Sequence, residues 1–162
     1  MKTLLLMRHA KSSWKHTELN DHDRPLAKRG KCDAPRMGQL VRQEELVPQL
    51  ILSSTAVRAR VTAEIVAEES GYEEDVVCRQ ELYAFDPEPY LEVLADLPDD
   101  LQRVMVVGHN PAMEELTTLL TGEAVPLPTA ALVLVTLPID RWRELEEDPV
   151  GKLVNFWRPE KY

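Results

Sequence analysis

Apolar positions in this chain follow two alternating patterns. Short unbroken runs, Leu4-Leu5-Leu6-Met7, Leu50-Ile51-Leu52 and Val104-Met105-Val106-Val107, have the continuous apolarity of strands covered on both faces. Residues 130–137 predict a further strand, 150–157 another, and Val76-Val77-Cys78 a short one. Between these runs apolar residues recur at helical spacing. Ala34, Met37, Leu40 and Val41 mark a helix over 28–45, and Val57, Val61 and Ile65 one that stops before Gly71. Proline fits only a first helical turn, so Pro35 is expected to kink the first helix or delay its start to about Asp33. Ser53-Ser54-Thr55 offers capping side chains to the second. Tyr90, Val93, Leu94 and Leu97 line a third helix opening at Pro87 or Glu88. Asn110-Pro111 supplies an N-cap and first-turn proline for a fourth, which Gly122 ends.

Strands alternating with helices at this spacing predict an α/β fold, a three-layer α/β/α sandwich around a mostly parallel central sheet. With 162 residues and no repeat, low-complexity tract or linker, the chain reads as one domain over 1–162. Residues 11–25 are polar, contain a breaker and are long for a loop, as functional or mobile loops are.

Charge narrows the function. A formal net charge of -9 argues against non-specific nucleic-acid or anionic-membrane binding, so an anionic substrate must be drawn by a local basic pocket. Cys32 and Cys78 have no metal-type spacing and read as reduced, part-buried thiols, and the four histidines lack short ligand spacing, so no metal is expected. Lys2 with the first apolar run faintly mimics a signal peptide, but the run is too short and ends on Arg8; no segment is long enough to span a bilayer, and a cytoplasmic address is expected.

The chemistry lies at the strand ends. His9 follows the first run and His109 the fourth strand, while Arg58 stands in the first turn of the helix after Ser53-Ser54. In a parallel sheet these ends share one edge, where ligands of open α/β sheets bind. Arg8, His9, Arg58 and His109 are therefore expected to converge, with two helix N-termini, at Thr55 and Asn110, directed at the same place. Guanidinium forks and N–H groups around an imidazole suit a phosphoryl group.

Arg8-His9-Ala10 resembles the Arg-His-Gly/Ala signature of the histidine phosphatase superfamily, which includes the cofactor-dependent phosphoglycerate mutases. The stretch Ser53-Ser54-Thr55-Ala56-Val57-Arg58-Ala59-Arg60 is similar to its second signature and Gly108-His109-Asn110-Pro111 to its third. Asp21-His22-Asp23-Arg24-Pro25-Leu26, Arg29-Gly30, Leu127-Pro128-Thr129-Ala130 and Trp157-Arg158-Pro159 resemble the shorter SixA-type phosphohistidine phosphatases. The resemblance implies a phosphoglycerate mutase-like fold. It also implies a phosphatase in which His9 takes the phosphoryl group covalently, Arg8, Arg58 and His109 bind its oxygens, and Asp21 and Arg24 line the mouth. The expected partner is a phosphohistidine-bearing protein and the product inorganic phosphate, with no cofactor. His9 must be neutral to attack. Arg8 and Arg58 disfavour its protonated form, so its pKa is expected below about 6.5.

One departure bears on substrate. The mutase and broad-phosphatase branches carry a glutamate acid just after a Leu-Tyr pair, whereas here Leu82-Tyr83 is followed by Ala84. A general acid is worth roughly 10²–10⁴-fold. Its absence favours phosphohistidine, whose leaving imidazole has a pKa near ~6.5. Glu81, Asp86 and Asp21 remain candidates for that acid. Competing readings are a small-molecule phosphomonoesterase of the same chemistry and a non-catalytic phosphoryl-binding module. More ordinary roles are open to several residues: Asp21 and Arg24 as an ion pair ordering the loop, Arg58 paired with Glu64, His16 and His22 as solvated loop residues, Lys11, Lys15 and Arg60 as surface charge, and Trp14, Trp142 and Trp157 as packing residues.

Overall fold

The computed structural model describes residues 1–159. Its elements run β1 (Lys2–Arg8), α1 (Lys28–Gln43), β2 (Leu50–Ser54), α2 (Val57–Ser70), β3 (Val77–Arg79), α3 (Glu88–Ala95), β4 (Arg103–Gly108), α4 (Ala112–Thr121), β5 (Leu132–Leu137) and β6 (Lys152–Trp157). The six strands form one sheet of order β3-β2-β4-β1-β5-β6. β5 is antiparallel to both of its neighbours, and every other pairing is parallel.

The unbroken apolar runs follow from burial on both faces of this sheet. Successive side chains of a strand point to opposite faces. Leu4, Leu6, Val104 and Val106 thus join an apolar cluster with α3, α4 and Trp142, while Leu5, Met7, Met105 and Val107 join a second with α1 and α2. The result is the three-layer sandwich with a mostly parallel sheet.

Several expectations change in detail. α1 begins at Lys28 and continues through Pro35, so its start is not delayed. Pro35 is half-buried, and Lys31, whose carbonyl loses its usual donor, is an exposed residue where solvent can replace it. α2 has Ala56 as N-cap with no side-chain cap, because the preceding serines and threonine bond elsewhere. α4 starts after Pro111 rather than at Asn110; the Asn110–Pro111 peptide is cis, and the Asn110 amide instead donates to Glu114 and to the Leu127 carbonyl. Gly71 and Gly122 end their helices in the left-handed region, as expected. Both cysteines are exposed rather than part-buried. Trp142 is fully buried, whereas Trp14 is 69% exposed.

The segment 11–25 is anchored where it leaves and rejoins the fold. Ser12 bridges Leu26, the Ser13 N–H donates to the Pro25 carbonyl, and the Ala27 N–H donates to Lys11. Gly30, in the first turn of α1, allows this closure, since a Cβ there would overlap the Lys11 carbonyl. Among the described residues no helix is long and apolar enough to cross a membrane.

Candidate active site

β1 and β4 pair in register, Arg8 opposite Gly108, so the residues just past them lie side by side. His9 and His109 have ring centroids 5.2 Å apart and are 7% and 1% exposed. β2 pairs with the other edge of β4, and the first turn of α2 brings Arg58, 3% exposed, to the same end. All six expected site residues, Arg8, His9, Asp21, Arg24, Arg58 and His109, line one cavity of about 430 Å³.

Hydrogen bonds set the state of each ring. His9 Nδ1 lies 2.8 Å from the Ala10 carbonyl, and a carbonyl only accepts, so the proton sits on Nδ1 and Nε2 keeps its lone pair. His109 Nε2 lies 2.8 Å from Ser54 Oγ, which already accepts from the Ala56 N–H. The serine hydroxyl is satisfied when it donates to Nε2, which leaves the His109 proton on Nδ1. That nitrogen is buried with no partner among the described residues. The His9 pKa is pushed down to about 4, first by burial and then by the Arg58, Arg8 and Arg24 guanidiniums, against the pull of the Ala10 bond. The expected direction holds, but burial rather than the arginines is its main cause. His109 is pushed down to about 3 by burial, then by His9 and Arg58. Both rings are neutral at neutral pH.

Cations surround them. Arg8 donates from Nη1 to the Leu127 carbonyl at 3.0 Å, and its Nε is buried without a partner among the described residues, as is that of Arg58. Arg58 donates to the Asp21 carbonyl at 2.7 Å and to Asp21 Oδ2 at 2.9 Å. It is not the partner of Glu64; Arg60 is. Asp21 also accepts from Arg24 Nε at 3.2 Å and from the Tyr83 hydroxyl at 2.7 Å. Burial raises the Asp21 pKa, but these bonds outweigh it and hold the carboxyl well below its usual range. The two readings of Asp21 and Arg24 therefore merge: they form an ion pair that orders the loop, and they line the cavity.

Several contributors were not legible as such. Ser54 reads as a helix cap, Tyr83 lies 62 residues from its partner Asp21, and His22 reads as solvated although its Nε2 is hydrogen-bonded to Thr55 Oγ1 at 2.9 Å. Trp14 stacks on Arg24, with the guanidinium carbon 3.5 Å from the ring centroid. Tyr83 and Phe85 flank the Ala84 position and pack against the His109 ring at 5.5 and 5.3 Å. An aromatic wall thus stands where the sequence raises the question of an acid. Of the three candidate acids, Glu81 pairs with Arg79 at 2.8 Å away from the cavity, Asp86 does not line it, and Asp21 is held ionised. No lining carboxyl among the described residues carries a proton at neutral pH. Among those residues no group of three or more His, Cys, Asp and Glu is placed to hold a metal ion. Chemically, the arrangement offers the free Nε2 lone pair of a neutral imidazole beside guanidinium groups suited to a tetrahedral anion.

Known proteins share the sequence pattern and the fold of this chain. The sequence profile of the histidine phosphatase superfamily (branch 1) matches residues 4–86. An uncharacterized chloroplastic protein of Arabidopsis thaliana is 35% identical over 153 residues, covering 88% of this chain and 70% of the relative. Among solved structures, the candidate phosphohistidine phosphatase SixA of Agrobacterium tumefaciens superimposes with a TM-score of 0.83 at 30% identity, over 98% of both chains. A protein histidine phosphatase SixA complexed with tungstate gives 0.82 at 24% identity, over 97% of both.

Proposed function

The chain belongs to the histidine phosphatase superfamily and is a phosphatase, and on that premise we propose that it removes the phosphoryl group from phosphohistidine on a protein substrate. One observation carries the choice of substrate: among the described residues the lining of the cavity offers no protonated carboxyl. An alkoxide leaving group needs a proton from the enzyme. A phosphohistidine whose other ring nitrogen is protonated leaves as neutral imidazole and needs none.

In this reading His9 Nε2 attacks phosphorus, the N–P bond of the substrate breaks, and the phosphoryl group passes to His9. Arg8, Arg58 and the Nδ1–H of His109 hold its oxygens, a role of positioning and electrostatic stabilisation. Asp21 and Arg24 are the positioning residues of Arg58 and of the loop. Water then attacks the phosphoenzyme and releases inorganic phosphate, a proton and the free imidazole.

The test compares kcat/KM for a phosphohistidine peptide and a sugar phosphate, together with trapping of the phosphoenzyme. The peptide is expected to lead by about 10²-fold or more, the worth of the acid an ester requires. Acid-labile label is expected in the wild type and absent in His9→Ala. Equal or better turnover of the sugar phosphate overturns the substrate; label retained in His9→Ala overturns the nucleophile; no turnover of either leaves a binding module.

A further inference from the structure

The wall between the catalytic cavity and its surroundings is one extended segment with two faces. Ser12 and Trp14 face the cavity, Ser13 and Lys15 face a separate groove of about 410 Å³, and Lys11 borders both. This groove is lined by Lys11, Lys15, Lys28, Arg29 and Lys31, all exposed. Arg29 pairs with Asp33 at 3.4 Å, and the four lysines make no ion pair with a carboxylate among the described residues. The N-cap of α1, Ala27, lines the same groove without a side-chain cap, so the positive end of a 16-residue helix adds to the field.

An acidic patch on a protein of net charge -9 is what composition alone predicts, and one exists in a second groove bearing Asp86, Glu88, Glu114 and Glu115. Five cations gathered in one groove run against that composition. They also share Lys11 with the place where the phosphoryl group binds, so a protein covering the cavity from this side must cross the groove.

Resting on the phosphohistidine reading above, we propose that this basic groove docks the substrate protein, through acidic side chains close to its phosphohistidine. Complementary charge of this kind chiefly raises the encounter rate, and salt weakens it.

The experiment uses phosphoimidazole and three phosphohistidine peptides of equal length flanked by glutamate, glutamine or lysine, with wild type and the double variant Lys15→Glu/Lys31→Glu. At low salt the glutamate peptide is expected to exceed the glutamine peptide in kcat/KM by about tenfold, at the lower end of electrostatic steering. The charge-reversed variant is expected to lose that preference while keeping wild-type turnover of phosphoimidazole. Equal rates for the three peptides, a lead for the lysine peptide, or a preference that survives in the variant overturns the docking surface while phosphoimidazole turnover upholds the chemistry. Failure on phosphoimidazole overturns the phosphohistidine reading and the docking proposal with it. An RNA oligonucleotide that competes out the glutamate peptide in wild type but not in the variant assigns the groove to nucleic acid and overturns the protein partner.

Discussion

His9 and His109 are the same side chain in one cavity and both carry their proton on Nδ1, yet different neighbours fix it there. His9 gives its Nδ1 proton to a carbonyl, while His109 meets a hydroxyl at Nε2 and keeps its proton on Nδ1. Ser54 is therefore a positioning residue for His109. Ser54→Ala removes the hydroxyl donor and lets the ring move its proton to Nε2. The expected result is a fall in kcat of about tenfold, or about 1.4 kcal/mol, in keeping with one hydrogen bond to a charged group. The ¹⁵N shifts of the His109 ring are expected to show the change of tautomer; an unchanged kcat with unchanged shifts refutes the role. Nothing in the sequence distinguishes Ser54 from an ordinary cap, since a serine before a helix is a cap by default. Arg8, His9, Arg58 and His109 were legible because each stands at a strand end or in the first turn of the helix that follows one. Asp21 was only half legible: an Asp-x-x-Arg pair in a loop says nothing of a tyrosine 62 residues away.

At the scale of elements, the apolar pattern located the six strands and three of the four α-helices, and the proline and glycine at its ends located α4; what the reading misplaced were element ends. Ser54, Thr55 and Asn110 looked like caps, but their side chains bond His109, His22 and the Leu127 carbonyl, contacts that form only once distant segments meet. Tyr90 on α3 is the clearest such joint. Its hydroxyl donates to the carbonyls of Leu82 and Ala84 and accepts from the His109 N–H, tying α3, the aromatic wall and the end of β4 together. Gly108 is matched to it, as a Cβ there would stand 2.5 Å from the Tyr90 oxygen. Tyr90→Phe leaves these buried groups without their partner, which is expected to lower stability by about 2 kcal/mol. It is also expected to loosen the segment carrying Tyr83 and Phe85. A denaturant midpoint measures the first effect and kcat/KM the second. A midpoint equal to wild type would mean that packing alone holds the joint.

The molecule as a whole keeps two neutral imidazoles among arginines, and this ties its stability to pH. In the unfolded chain each ring titrates near ~6.5. In the fold the values are about 4 and about 3. A basic group with a depressed folded pKa binds more protons unfolded, so stability falls as pH drops below the unfolded value, by about 1.4 kcal/mol per pH unit per ring. The loss starts near pH 6.5 and runs down to the folded values, where protonation of the native state ends it. The net charge of -9 acts in the opposite sense, because acid relieves carboxylate repulsion as the pH approaches the pI of about 5.0. The two contributions separate in the variant His9→Gln/His109→Gln, which keeps every carboxylate but has lost both rings. Urea unfolding between pH 7 and 4.5 is expected to show a steep loss of stability in the wild type and a shallower one in the variant. Parallel curves would show that the rings titrate alike in both states. The neutral nucleophile would then lose its physical basis, since whatever keeps His9 unprotonated in the fold must appear as this acid sensitivity.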